Sequence, residues 1–386
     1  MKSAKHILQI IIALCLVLTL SGCSLQPADL AEGASTVFDI VTGRYEVPAD
    51  KVKEQMLERL TSYATTMEFR HVSPETANQV YGEIISEHPE LFWLNSAYRY
   101  AVTTYRSGAT DIYMEVLLKT GTEDIPAMNE KYQAAVKSIV SRVDSSWSDY
   151  EKALFIHDYI TENCSYDIEL SEKLTASTDE DLLDCEQLGT SAYGCLVDNL
   201  AICSGYANAF QALMHELGIQ CGKTRGQIEE DGVSNGHVWN FITLDGENYF
   251  VDVTWDDSGE NPDEPAPPDH SYFCITGEEL YSSHRLNDDE ADPVCTATKY
   301  NYHIASGYYL ESYDFSSVSS IIDAQSGKEL IELKFASQEA LDKACNDLFG
   351  YRRIFEIPSV GSHGYCTVWH RSCSDSHVLS IWIDNQ

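Results

Sequence analysis

Three side chains between residues 200 and 257 have the types that nucleophilic catalysis requires: Cys203, His237 and Asp252. A thiol attacks a carbonyl carbon once its proton is removed. An imidazole can take that proton, and a carboxylate can fix the imidazole tautomer. They are spaced 34 residues from Cys203 to His237 and 15 more to Asp252. Taken singly, each also has a bland role, as core filler, strand polar residue and edge charge. The elements in which they stand decide between the two.

Ala207, Phe210, Leu213, Met214 and Leu217 form one apolar stripe at helical spacing, and Gly218 is a natural C-terminal stop. Cys203 therefore falls at or just before the first turn of a buried helix, where unpaired N–H groups favour thiolate and can help hold an oxyanion. Gly236 to Leu244 and Asn248 to Trp255 are β-rich runs flanking Asp245-Gly246, a strong hairpin signal. With a two-residue turn, His237 lies opposite Thr254 and Asp252 is its diagonal neighbour on the same face. A one-residue slip would separate them.

Ile202-Cys203-Ser204-Gly205-Tyr206-Ala207, Gly236-His237-Val238-Trp239-Asn240 and Tyr249-Phe250-Val251-Asp252-Val253-Thr254-Trp255-Asp256 resemble the core motifs of the transglutaminase-like superfamily. The branch is the bacterial secreted one, related to the transglutaminase core of cytokinesis and kyphoscoliosis proteins. His157-Asp158-Tyr159, Tyr166-Asp167 and Tyr272-Phe273-Cys274 through His284 extend the resemblance over about 148–288. It implies an α+β fold with a papain-like core, a Cys-bearing helix packed on an antiparallel sheet. It also implies catalytic Cys203, His237 and Asp252 forming a thioester from an amide, resolved by an amine or by water. The family's aromatic oxyanion partner has its nearest counterpart in Tyr166, 37 residues before Cys203; a core tyrosine is the competing role. Trp239 is either a wall of the substrate pocket or simple core. Ser204 stands where the family has an acidic or similar polar residue. No calcium-loop pattern accompanies the motifs, and no metal or other cofactor is expected.

The flanking sequence is read from composition and periodicity. Lys2 and Lys5 precede an apolar run, Ile7 to Leu20, of signal-peptide length. Leu20-Ser21-Gly22-Cys23 resembles a lipoprotein cleavage box, so 1–22 is expected to be a signal peptide, Cys23 the lipidated residue, and 23–45 a tether. This places the protein on the extracytoplasmic face of a bacterial membrane, attached by acyl chains. The charge supports no other attachment to anionic lipid: 25 Lys plus Arg face 61 Asp plus Glu among 386 residues, a net of −36. Such an excess also argues against nucleic acid as a partner. A hydrophobic fraction of 44 % excludes disorder as its cause.

Residues 46–145 read as a small α+β domain, with helical periodicity from Val52 to Tyr63 and from Pro74 to Leu91. A hairpin follows across Ser107-Gly108. Residues 146–298 are the catalytic domain. It opens on Ser148-Asp149-Tyr150-Glu151, which has capping-box form. His157 and Asp158 on that helix read as surface or core-edge polar residues, and 171–190 and 256–269 as loops. Residues 299–386 read as a second small α+β domain, with strands at 329–335 and 378–383 and a helix over 338–349. Cys366 with Cys373, and Cys185 with Cys195, are close enough in sequence to close loops. The expected partner is a protein or cell-wall peptide substrate. A Cys-His-His peptidase fits less well, because that type places its third polar residue elsewhere. A surface adhesion or scaffold module with an idle triad is the non-enzymatic alternative.

Overall fold

The structure, a computed structural model, describes residues 46–106, 108–176, 187–230, 233–257, 267–287, 293–361 and 366–384. The expected signal peptide, the tether with Cys23, and Cys185 lie outside the described residues. Two compact units emerge. The first holds the described residues up to Ile85 with Asn95–Leu117; the second holds Ser86–Leu94 with Leu118 onward.

In the first unit, helices α1 (Ala49–Thr61) and α2 (Pro74–Glu87) bury Val52, Met56, Leu60, Val80 and Ile84. The sheet has the order β1 (Thr66–Arg70), β3 (Thr110–Leu118), β2 (Leu94–Thr104). Alternation along β1 sends Met67 and Phe69 inward, as period-2 side-chain direction requires. The unit ends near residue 117 rather than at the expected 145. Helix α3 (Ile125–Val140) belongs to the second unit, where Tyr132 packs on Phe92 with ring centroids 5.3 Å apart.

The second unit opens on α4 (Asp149–Asn163). Ser148 caps it with both reciprocal bonds of the capping box in place. A two-stranded parallel sheet pairs β4 (Ser165–Tyr166) with β5 (Leu200–Ala201). Helix α5 (Ile168–Ala176) occupies part of the stretch expected as loop, and buries Leu170 there. Helix α6 (Cys203–Glu216) ends as the apolar stripe implied, with Gly218 in the left-handed region at φ +75°.

Helix α6 packs on a five-stranded antiparallel sheet. Its order is β10 (His284–Leu286), β6 (Cys221–Glu230), β7 (Val233–Leu244), β8 (Glu247–Val251), β9 (Phe273–Ile275). Asp245 and Gly246 make the two-residue turn with φ of 52° and 82°, and Leu244 pairs Glu247 as expected. The ladder runs back only to Asn240 and Val251. Asp252 leaves the strand and caps a short helix, α7 (Val253–Asp256), so Thr254 is helical and does not face His237. His237 instead pairs Gly226 of β6.

Residues 299–386 have their own apolar core, including Val318, Leu333, Phe335, Leu341 and Ile381. It lies between helices α8 (Phe315–Ala324) and α9 (Gln338–Cys345) and a sheet of order β11 (Tyr309–Leu310), β12 (Ile331–Phe335), β14 (Val378–Asp384), β13 (Thr367–Cys373). The expected boundary at 298 does not separate compact units. Glu332 of β12 binds His270, and Arg371 of β13 binds Asp269, across it. No two of the nine described cysteines are joined in a disulfide. Cys373 and Cys366 do not close a loop, because the first hydrogen-bonds Tyr272 Oη (3.5 Å) and the second faces the Val360 carbonyl.

One side chain fastens helix to sheet. Asn240 is buried on β7, and its Nδ2 donates to the carbonyls of Ala207 on α6 and Gly222 on β6, both at 3.1 Å. Replacing it removes two buried hydrogen bonds, each worth about 0.5–1.5 kcal/mol. Asn240→Ala should therefore lower the urea midpoint with an unchanged m-value. An unaltered midpoint would show that the bonds carry no stability.

Candidate active site

Cys203 is the first residue of α6, and Ile202, in extended conformation, precedes it as the cap. The start of the helix is pinned from behind. The Ile202 amide donates to the Gly189 carbonyl (3.0 Å), and β4 beside β5 sets Tyr166 in register with Ala201. Gly205 permits this close approach: a Cβ there would lie 2.5 Å from the Gly189 oxygen and 2.7 Å from Ala201 Cβ. The thiol residue is 8 % exposed, reachable but mostly sheltered.

His237 projects from β7, with the Cys203 side chain near enough to help raise its pKa. Its Nε2 lies 2.6 Å from Asp252 Oδ2. The carboxylate can only accept, so Nε2 carries a proton and Nδ1 is left to face the sulfur. Burial works against a charged ring, yet the Asp252 charge and the Cys203 contact outweigh it and push His237 up to about 10. The same pairing holds Asp252 well below the usual carboxylate range against the effect of its own burial, with the His237 charge the main cause and the His284 bond assisting.

Asp252 has four partners. Oδ1 accepts from the amides of Thr254 (3.1 Å) and Trp255 (3.2 Å), the capping bonds of α7. Oδ2 faces His237 and also His284 Nε2 at 3.0 Å. His284 stands on β10, its Nδ1 2.9 Å from Ser283 Oγ, with its ring 4.4 Å from Trp255 and 5.0 Å from Trp239. In the sequence His284 is a motif match with no predicted place at the site. It comes 32 residues after Asp252, through an edge strand whose pairing no local pattern announces.

Cys203, His237 and Asp252 are thus brought together by a helix, a strand and a cap. Tyr166 and His237 line one open cleft of about 590 Å³ with Ile168, Ser171, Asn235 and Gly236. The Tyr166 hydroxyl is 3.3 Å from Ser171 Oγ. Trp239 is not a pocket wall: only 1 % exposed, it lies stacked behind the His237 ring in the core. His157 and Asp158 are not simply surface groups either, because His157 is fully buried against Asp256.

Residues 137–253 match the family model of the transglutaminase-like superfamily. The kyphoscoliosis peptidase of Mus musculus is 24 % identical over 143 residues, 34 % of this chain; the match spans 20 % of that protein's length. Among solved structures, one of a TGase is 15 % identical, covering 45 % of this chain and 48 % of its own at a TM-score of 0.29. A candidate cysteine protease from Cytophaga hutchinsonii is 14 % identical, covering 41 % and 62 % at a TM-score of 0.23.

The paired shifts fix a pH dependence. His237 is raised from 6.5 to about 10, so its contribution to stability is complete below 6.5 and fades as pH rises toward 10. Asp252 is depressed, so its contribution is present above the ordinary carboxylate range and disappears on acidification. The stability lost in Asp252→Asn, measured by urea unfolding, should be greatest around pH 5–6.5 and should shrink toward pH 10. A loss that grows with alkalinity would contradict the assignment.

Proposed function

We propose, from the match of residues 137–253 to the transglutaminase-like superfamily, that this chain is a cysteine enzyme of amide bonds, with Cys203 as nucleophile, His237 as base and Asp252 as orienter. The single observation that carries the reading is the His237 ring, held by a buried carboxylate at 2.6 Å and electrostatically coupled to a helix-initiating cysteine. The substrate is an amide of a protein or cell-wall peptide. The expected leader and Cys23 would tether the enzyme outside a bacterial membrane by lipid.

The chemistry follows from the proton positions. His237 Nδ1 takes the thiol proton, and Asp252 stabilises the imidazolium that results. The thiolate adds to the amide carbon, and the carbonyl electron pair moves onto oxygen. Amides at the start of α6 and the Tyr166 hydroxyl would receive that oxyanion. Collapse breaks the C–N bond, and the imidazolium returns its proton to the departing amine, leaving a thioester on Cys203. Water or a second amine then gives its proton to His237, attacks the thioester and releases the thiol. Water completes hydrolysis and an amine completes transamidation.

A Cys-His-His peptidase is disfavoured, since a carboxylate and not a second imidazole takes His237 Nε2. A fluorogenic amide library, assayed with and without a primary amine, tests the proposal. Turnover should vanish in Cys203→Ala and fall by about 10²–10⁴ in His237→Ala. A thiol-directed probe should label Cys203 faster than the other cysteines at neutral pH. Uniform labelling and no turnover would leave a binding module with an idle triad. Tyr166→Phe should lower kcat by about 10²–10³, the usual cost of an oxyanion donor, without slowing that labelling. Slowed labelling with unchanged kcat would assign Tyr166 to packing.

A further inference from the structure

A second constellation of imidazoles and carboxylates lies beyond the candidate active site. His157 and Asp158 are neighbours on α4, and His270 precedes β9. His157 Nδ1 and His270 Nε2 both approach the same atom, Asp158 Oδ1, each at 3.0 Å. The three donor atoms fall within 4.8 Å of one another. The outer nitrogen of each ring is held by a different buried carboxylate. His157 Nε2 lies 3.0 Å from Asp256 Oδ2, and His270 Nδ1 2.7 Å from Glu332 Oε2.

Those outer carboxylates are themselves fixed. Asp256 Oδ1 accepts from the Tyr272 amide (2.8 Å), while Glu332 Oε1 accepts from the His270 amide (3.0 Å) and faces His303 Nε2 (3.2 Å). Tyr302 stacks flat on the His270 ring at 3.7 Å and 10°. Both rings therefore have one set orientation and turn one nitrogen toward a shared oxygen. Metal-binding histidines have this outer arrangement, in which a carboxylate on the far nitrogen fixes the tautomer and strengthens the donor.

We propose that His157 Nδ1, His270 Nε2 and Asp158 Oδ1 form a site for a divalent transition-metal ion, with zinc the natural occupant. Tetrahedral bonds of about 2.0–2.2 Å from one ion place neighbouring donors roughly 3.3–3.6 Å apart, so the two 3.0 Å separations need to open by only a few tenths of an ångström. Two imidazoles with one carboxylate are a borderline nitrogen-and-oxygen set suited to zinc rather than to calcium or magnesium. With neutral rings, Asp158 and Glu332 bring two negative charges, which a dication offsets, while burial pushes Asp256 up to about 8. Entry is provided by Asp158, whose side chain is 41 % exposed while that of His157 is 1 % exposed. The same edge leaves a coordination position for water or another ligand. The ion would join α4 to the loop before β9, and through Glu332 to β12, so its role would be to fasten the C-terminal sheet to the helix beneath the catalytic region.

The test uses the full chain carrying Cys203→Ala, stripped with a chelator and titrated with Co²⁺ and then with Zn²⁺. The expected result is one equivalent of Co²⁺, with visible ligand-field bands and no thiolate charge-transfer band, displaced stoichiometrically by Zn²⁺. Zn²⁺ should also raise Tm. Asp158→Asn and His270→Gln, checked for folding by circular dichroism, should each weaken binding at least tenfold. Glu332→Gln, acting through the His270 ring, should weaken it by about 10–100-fold. His284→Gln should leave it intact, separating this site from the His237, Asp252 and His284 group. Absence of saturable binding, a thiolate band, or undiminished affinity in folded His270→Gln would each overturn the proposal.

Discussion

The catalytic region depends on the cost of burying one carboxylate. Asp252 is 1 % exposed, and an ionised carboxyl there is tolerable only if every lone-pair direction finds a donor. The four it finds come from three places: two amides of α7, His237 on β7 and His284 on β10. Strand β8 ends at Val251 for this reason. Leaving the ladder turns the carboxyl away from β7's backbone and lets it cap a helix, so the residue that orients the base also sets where the next element begins. Loss of any partner would leave charge uncompensated in the core, which is why the geometry around it is over-determined.

The sheet and helix then have the task of bringing a thiol to that fixed imidazole. Their approach is set by small residues. Gly205 lets the first turn of α6 settle on Gly189 and Ala201. A Cβ at Gly226 would meet the Arg285 carbonyl at 2.0 Å, so its absence lets β10 close on β6 and carry His284 to Asp252. Gly226 is also the residue that His237 pairs across the ladder. Trp239 and Trp255 fill the space around the two imidazoles, and this apolar packing strengthens the pairing by excluding water.

Much of the triad was legible because its determinants are local. The apolar stripe after Cys203 and its glycine stop define a helix, and Asp245-Gly246 defines a turn that fixes which residues of two strands share a face. Both conclusions rest on side chains within a dozen positions of one another. The end of β8 was not legible, since a run rich in β-formers continues through Trp255 and only the cost of burying Asp252 interrupts it. His284 and Glu332 were hidden for a different reason. Each is fixed by contacts tens of residues away, and a lone histidine on a three-residue strand has no periodicity to betray it. Trp239 was ambiguous because strand parity tells which face a side chain occupies, but not whether that face is covered.

The acidic composition acquires a structural meaning in the interior. With 61 acidic against 25 basic residues, few lysines and arginines are free for the core. Asp269 takes Arg371 and Glu279 takes Lys334, but Asp252, Asp256 and Glu332 are paired instead by His237, His284, His157, His270 and His303. An imidazole differs from a guanidinium in that it donates a hydrogen bond whether or not it is charged. A carboxylate paired this way keeps its bond when the proton count changes, while the electrostatic part of the pairing varies with pH. At Cys203 that property is what the proposed catalysis needs, because His237 would gain and lose a proton without releasing Asp252. At Glu332 and Asp256 the same pairing holds two rings in fixed orientation around Asp158. One solution to burying carboxyl groups in a chain short of fixed cations therefore yields both the proposed proton acceptor for the thiol and the proposed set of nitrogen donors.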